Sequence, residues 1–170
     1  MEIIDAILLV LSEWGKMLPM PLEDKHALAK RLRGINKTQF DRGVRHLANR
    51  GLITISKKNN QRFFILTKDG QLEILLKKAK IKEKQHWDGK WRLIMFDIPE
   101  GAKDKREFFR KLLKSNGFFK LQASVYISPY SLNNSAIAYL KETGLMDFIR
   151  ILRVDEMDND KILKKHFNLS

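Results

Sequence analysis

Cysteine is absent from the 170-residue sequence. Its absence excludes disulfide scaffolds, thiolate nucleophiles and zinc ribbons, and it fits a reducing compartment. Long apolar runs are absent too, since the longest, from Ala6 to Leu11, is far shorter than the ~18–20 residues of a transmembrane helix. The N-terminus lacks the basic flank and small-residue cleavage site of a signal peptide, so we expect a cytoplasmic protein with no membrane partner.

Acidic residues are scarce relative to basic ones: 20 aspartates and glutamates face 33 lysines and arginines, for a formal net charge of +13. Residues 1–85 carry 18 basic and 9 acidic side chains, and residues 86–170 carry 15 and 11. A protein with this much positive charge attracts polyanions and raises the rate at which they encounter it. Nucleic acid is the first candidate and an anionic membrane surface the second, while solubility alone is the third explanation.

The composition, 44% apolar and 31% charged, provides for one or two small cores. A basic stretch, Lys77 to Lys84, separates two apolar-periodic segments, which indicates a junction near residues 84–90. We therefore expect an α+β protein with two domains. Residues 1–84 form an N-terminal winged helix-turn-helix domain, and residues 85–170 form a C-terminal ferredoxin-like α/β sandwich.

The first domain is predicted from helical spacing and turn residues. Apolar spacing predicts four helices, over 2–14, 24–32, 37–49 and 71–82. Gly34 permits a tight turn before the third helix and Asn36 caps it, which is the helix-turn-helix pattern. Strands at 52–56 and 62–67, with a polar turn from Lys57 to Gln61, then predict a hairpin that forms the wing.

The third helix has two different faces. Phe40, Val44 and Leu47 form an apolar stripe, and the opposite face carries Thr38, Gln39, Arg42, Arg45, His46 and Asn49. Arginine can bond guanine, and asparagine or glutamine can bond adenine, in the major groove. Because recognition helices present base contacts from their N-terminal part, we assign Thr38, Gln39 and Arg42 to the groove floor. The alternative is an ordinary solvated helix face.

Four further cations suit phosphate rather than bases: Lys37, Lys57, Lys58 and Arg62. They lie at the start of the third helix and around the tip of the hairpin. Phosphate contacts hold the register of a protein on the duplex and carry no sequence information.

The second domain is predicted as strands over 91–98, 118–121, 124–128 and 148–154, with helices over 104–115, 133–143 and 161–167. Asp104 and Asn133 or Asn134 are the expected caps. The order is β-α-β-β-α-β, or β-α-β-α-β if the two middle strands are one bent strand, and it suggests a ferredoxin-like sandwich. Since the helices cover one sheet face, we expect self-association to cover the other.

The segment WRLIMFDIPEGAKDKREFFRKLLKSNGFFKLQASVYISPY, residues 91–130, resembles the middle domain of the phenylacetate-operon repressor (PaaX) family. It also resembles the CRISPR-associated Cas-two family, which shares that fold. The shared marks are Met95 to Pro99, a basic helix, Gly117-Phe118 and Ser124 to Tyr126. The PaaX resemblance implies a dimeric repressor that binds operator DNA.

Asp97 is the one candidate metal ligand. In the Cas-two family an aspartate after the first strand binds a divalent metal at the dimer axis, so that resemblance implies Mg²⁺ held by two symmetry-related copies of Asp97. In the alternative, no cofactor is bound and Asp97 bonds backbone amides at the strand end. We assign no catalytic residue.

We therefore expect a homodimeric, sequence-specific, double-stranded DNA-binding regulator, and more specifically a repressor. The rival from the enzyme class is a metal-dependent nuclease or a CRISPR-adaptation subunit with a fused winged helix. A third interpretation is a non-catalytic architectural or RNA-binding module.

Overall fold

A computed structural model describes residues 4, 6–8, 11, 36–58, 61–80 and 85–169, with the main chain alone at 37, 57–58 and 61–63. The chain forms two compact units, Met1–Leu75 and Leu76–Ser170. Residues 4, 6–8 and 11, within the predicted first helix, are helical. The predicted second helix, over 24–32, lies outside the described residues. None of the helices in the described ranges is long and apolar enough to cross a bilayer.

The first unit contains a helix followed by a hairpin. Helix α1 (Lys37–Asn49) has the predicted bounds, and strands β1 (Ile53–Lys58) and β2 (Gln61–Leu66) pair antiparallel. The predicted turn over 57–61 is wrong, because Lys57 pairs with Arg62 and Lys58 with Gln61. Residues 59–60 alone separate the strands, and two-residue connections are the commonest in hairpins.

Helix α2 (Lys68–Ala79) begins three residues before its predicted start. The reason is Thr67, whose hydroxyl accepts a hydrogen bond from the Gly70 N–H at 3.1 Å and donates one to the Gly51 carbonyl at 2.6 Å. A threonine in this position satisfies a free N–H of the first helical turn. Gly70 is required at this point, because a Cβ there would overlap the Leu52 carbonyl oxygen.

The core of the first unit joins α1, the hairpin and the N-terminal helical residues. Its buried members are Ala6, Ile7, Leu8, Leu11, Phe40, Val44, Leu47, Leu52, Ile53, Phe64 and Ile74. The rings of Phe40 and Phe64 meet edge to face with centroids 6.2 Å apart, so the hairpin is fastened to the inner side of α1.

The second unit has the predicted connectivity. Its elements are β3 (Trp91–Phe96), a 3₁₀ turn (Glu100–Ala102), α3 (Lys103–Ser115), β4 (Phe119–Gln122), β5 (Val125–Ser128), α4 (Asn134–Glu142), a second 3₁₀ turn (Leu145–Phe148), β6 (Ile149–Val154) and α5 (Lys161–Phe167). The strands form one sheet in the order β4-β5-β3-β6, and every neighbouring pair is antiparallel. This arrangement is β-α-β-β-α-β, so the mixed helix-and-sheet class is confirmed.

Two of the predicted helix caps differ in outcome. Asn133 caps α4 as predicted, since its side-chain oxygen accepts hydrogen bonds from the Ser135 and Ala136 N–H groups at 2.7 and 3.4 Å. Asp104 does not cap α3, because the preceding 3₁₀ turn moves the N-cap to Ala102 and leaves Asp104 in the first helical turn. A carboxylate there still interacts favourably with the helix dipole.

The two faces of the sheet are covered differently. Ile94, Phe96, Tyr126 and Ile149 pack against α3 and α4 in the larger core. On the opposite face Trp91 and Ile127 pack against Leu163 of α5, with Trp87 and Phe167 beside them. The chain itself therefore covers part of the face that the sequence had assigned to self-association. Met95 and Leu152, on the same face, remain 37% and 39% exposed.

The segment predicted as a domain junction folds onto the second unit at residues 85–90. The Gln85 carboxamide exchanges two hydrogen bonds with the Ser131 main chain, at 2.9 and 3.2 Å. Asp88 forms an ion pair with Arg92 at 2.6 Å, and that hydrogen bond holds the pKa of the Asp88 carboxyl below its ordinary value. Residues 81–84 lie outside the described part of the chain.

Candidate nucleic-acid interface

Helix α1 begins at a reciprocal cap. The Asn36 side-chain oxygen accepts from the Gln39 N–H at 2.9 Å, and the Gln39 side-chain oxygen accepts from the Asn36 N–H at 3.0 Å. This capping box satisfies two N–H groups at the helix start. It gives Gln39 a structural role that the sequence did not suggest, and it occupies one of the two acceptor positions of the side-chain oxygen.

The inner face of α1 agrees with the predicted stripe. Phe40, Val44 and Leu47 are all buried, as is Gly43 between them. Because these positions fix the rotation of the helix about its axis, the residues on the opposite side must face solvent.

The outer face carries the candidate base-reading side chains. All of those predicted there are exposed: Thr38, Gln39, Arg42, Arg45, His46 and Asn49. Asp41 is the one acidic residue in the helix, and its main-chain carbonyl accepts a hydrogen bond from the Arg45 side chain at 3.3 Å. The face is therefore cationic, polar and free of large apolar side chains, which is the chemistry that a major groove accepts.

The predicted phosphate contacts are described by their main chain alone. Lys37 is the first residue of α1, and the hairpin register sets Lys57 opposite Arg62. Lys58 is the last residue of β1, and two residues lie between it and the start of β2. The main chain thus brings Lys57, Lys58 and Arg62 together at one end of the hairpin, and their assignment to phosphate stays a prediction.

Asp97 lies at a second site, directly after β3. Its side chain is exposed, and its main-chain N–H donates to the Phe148 carbonyl at 2.9 Å. No donor among the described residues bonds its carboxylate, which differs from the alternative in which backbone amides hold it. Asp97 instead lines a surface cavity of about 440 Å³ together with Ser124, Asp147 and Arg150.

Asp147 and Arg150 are the residues of this cavity that the sequence prediction missed. They lie 50 and 53 residues along the chain from Asp97, so no local spacing connects them to it. The observed strand order brings them to Asp97, because it sets β6 beside β3. The residues just before an antiparallel strand then meet those just after its neighbour, as Phe148 meets Asp97.

The donor set of the cavity fits a hydrated cation only in part. Mg²⁺ keeps several waters and binds through one or two carboxylates, so Asp97 and Asp147 would be sufficient ligands. Arg150 brings a competing positive charge, and its guanidinium donates to the Asp147 and Ile149 carbonyls at 3.3 and 3.1 Å. Across the described ranges, no three histidine, aspartate or glutamate side chains come together as a metal site.

The charge is divided unevenly between the two units. Met1–Leu75 contains 13 basic and 8 acidic residues, a net charge of +5, whereas Leu76–Ser170 contains 20 and 12, a net charge of +8. Counts over halves of the sequence assigned the larger excess to the first half, because that division placed the five lysines of residues 77–84 there. The second unit is therefore the more basic one.

Comparison with known proteins bears on the second unit. Residues 84–164 match the family model of the PaaX protein central Cas2-like domain. This segment of the chain is therefore similar to the central Cas2-like domain of PaaX proteins, and all of the matched residues lie within the second unit. A comparison with curated proteins found no match for the chain.

Proposed function

We propose that the protein is a sequence-specific transcriptional regulator, a repressor of the PaaX type, that binds operator DNA with a winged helix in its first unit. The outer face of α1 enters the major groove, and the β1–β2 hairpin is the wing that contacts phosphate. The observation that carries this proposal is the exposed cationic face of α1 opposite a buried apolar stripe. The PaaX-type domain in the second unit supports it, since PaaX proteins are repressors.

The experiment that tests this function is selection from a random duplex library with the full chain. We expect enrichment of an inverted repeat with half-sites about one helical turn apart, or a multiple of it, because a symmetric dimer presents two recognition helices. Binding without any enriched sequence would contradict the proposal and favour the architectural module. Enrichment of RNA over duplex DNA in a parallel selection would favour an RNA-binding module.

The proposal includes a homodimer formed through the second unit. The sheet face that α5 leaves open bears the exposed side chains of Met95 and Leu152, next to the mixed charges of Asp147 and Arg150. A patch that holds both signs of charge can complement a second copy of itself across a twofold axis.

Sedimentation of the full chain tests the dimer. We expect twice the monomer mass of 20.0 kDa, and a monomer for Leu152→Glu, which places a charge in the apolar contact. Ile162→Glu is the matched control, since Ile162 is 77% exposed on α5 and should leave the mass unchanged. A wild-type monomer, or an unaltered Leu152→Glu dimer, would overturn this interface.

A second candidate function, metal-dependent cleavage of nucleic acid, is favoured by the two carboxylates of the Asp97 cavity. Bound Mg²⁺ or Mn²⁺ would polarise a phosphodiester. Labelled DNA and RNA incubated with either ion provide the test, with Asp97→Asn and Asp147→Asn as variants and Asp104→Asn, outside the cavity, as the control. Cleavage lost in the first two variants alone would support the nuclease, and its absence in the wild type would exclude it under those conditions.

A further inference from the structure

The exposed side of α3 carries lysines that the proposed winged helix does not use. Lys103, Lys111 and Lys114 are exposed on the side opposite the buried Phe109 and Leu112. They extend over eleven residues, about 16 Å along the helix axis at ~1.5 Å per residue. This length matches roughly five successive phosphates of one DNA strand, at ~3.4 Å of axis each.

Lys120, an exposed lysine of β4, is added to this set because α3 is hydrogen-bonded to the turn that follows β4. It pairs with Tyr126 of β5, so both residues lie on the sheet face that α3 and α4 cover. Arg110 of α3 donates to the Ala123 carbonyl at 3.3 Å, which joins α3 to the turn between β4 and β5. We define Lys103, Lys111, Lys114 and Lys120 as the α3 lysine surface.

Acidic side chains do not neutralise this surface. Glu107 lies between the lysines on the helix, but Arg110 engages it in an ion pair at 2.5 Å. The hydrogen bond from Arg110, followed by the charges of Lys111 and Arg106, holds the pKa of Glu107 below its ordinary value. None of the four lysines forms an ion pair with a described carboxylate. Asp104 is the one other acid on this helix.

We propose that the α3 lysine surface binds the sugar-phosphate backbone of duplex DNA, so that the second unit holds the duplex without reading its sequence. The inference deepens the proposed function and rests on it for the identity of the polyanion. Lysine ammonium groups contact phosphate as point charges. A membrane surface is the less suitable partner, because interfacial helices insert exposed apolar side chains, and the outer side of α3 has none.

Two DNA-contacting units on one chain would reinforce each other. Once α1 is bound, the tether keeps the α3 lysine surface at high effective concentration near the same duplex. Each lysine that neutralises a phosphate also releases condensed counterions, and it steepens the fall of binding with salt by about 0.9 in the log–log slope. The number of phosphates that the α3 lysine surface neutralises can therefore be counted from the change in slope.

The test is a salt titration of full-chain binding to a duplex that lacks any selected site. We expect Lys111→Gln/Lys114→Gln to reduce the slope by up to about 1.8 relative to wild type. Lys103→Gln/Lys120→Gln should give a similar reduction from different positions of the same surface. The matched control is Lys141→Gln/Lys165→Gln, which removes two exposed lysines from α4 and α5 and should leave the slope unchanged. Thermal melts of all variants check that they remain folded.

Unchanged slopes in both α3-surface variants would overturn the inference, and so would an equal reduction in the control, which would show a general effect of net charge. If the α3-surface variants lost binding to anionic vesicles while their salt slopes on duplex DNA were unaltered, the surface would be assigned to a membrane instead. The result is independent of sequence reading. If the chain selects no sequence but Lys111→Gln/Lys114→Gln reduces the salt slope, the inference stands and the sequence-specific regulator is refuted. If the chain selects a sequence but the slope does not change, the regulator stands and the inference is refuted.

Discussion

Asn36 and Gln39 decide where the candidate recognition helix begins. Each accepts a hydrogen bond from the main chain of the other, at 2.9 and 3.0 Å. The pair fixes the first turn of α1, which contains Thr38, one of the residues proposed for the groove floor. At this scale, the stability of the helix start and the placement of the side chains proposed to read bases depend on the same two residues.

Replacement of Asn36 by alanine tests this dependence. We expect Asn36→Ala to destabilise helix α1 by about 1 kcal/mol, because loss of a side-chain cap leaves N–H groups of the first turn without a partner. Hydrogen exchange of the α1 amides, followed by mass spectrometry, measures the change. Asn49→Ala, at the exposed C-terminal end of α1, is the control and should not accelerate exchange. Equal protection in wild type and Asn36→Ala would mean that the capping box does not stabilise the helix.

Some residue assignments were accessible from the sequence and others were not. The 3.6-residue period of Phe40, Val44 and Leu47 was sufficient to assign both faces of α1, because burial of one stripe determines the other. The role of Gln39 in the cap was not assigned, since its type suits a base contact equally well. Asp147 was missed because its proximity to Asp97 arises from strand pairing between distant segments.

Helix α5 is the element that the sequence described least well. Its bounds were predicted, but its packing against the second sheet face was not, because a seven-residue helix that contains three lysines has no clear apolar stripe. Leu163 makes the contact, at 4% exposure, with Trp91 and Ile127. The neighbouring Ile162 is 77% exposed and contributes little to the core.

The adjacent pair of residues in α5 provides a controlled test of this packing. We expect Leu163→Ala to lower the free energy of unfolding by about 2–5 kcal/mol through loss of burial and creation of a cavity. Ile162→Ala should change it by less than about 0.5 kcal/mol, as exposed substitutions do. Urea unfolding followed by tryptophan fluorescence in a Trp14→Phe background reports on the second unit through Trp87 and Trp91. Similar effects of the two substitutions would contradict the position of α5 on the sheet.

The turns were predicted less accurately than the helices and strands. Strand β1 ends two residues later than expected and β2 begins one residue earlier, so the turn is shorter, because cross-strand pairing continues through the polar residues Lys57, Lys58 and Gln61. The polar side chains at these positions predicted a loop, whereas the strands pair through main-chain hydrogen bonds that do not depend on side-chain polarity. The start of α2 moved for a similar reason, since the Thr67 cap precedes the first apolar residue of the helix.

For the molecule as a whole, the distribution of charge is the property that relates both units to one partner. The units carry net charges of +5 and +8. Under the proposed function, the first unit supplies sequence reading and phosphate contact, and the second supplies dimerisation and further phosphate contact. The total charge was evident from composition. Its division between the units was not, because the boundary at Leu75 falls within a helix that the sequence assigned wholly to the first domain.

The most direct test of the central claim compares two variants on two duplexes, the selected site and a sequence that lacks it. Arg42→Ala should weaken binding to the selected site by about 1–3 kcal/mol and relax the preference between the duplexes, because it removes a base contact. Lys58→Ala should weaken both duplexes alike, because it removes a phosphate contact. Wild-type binding by both variants, with the preference intact, would contradict the assignment of α1 to the major groove.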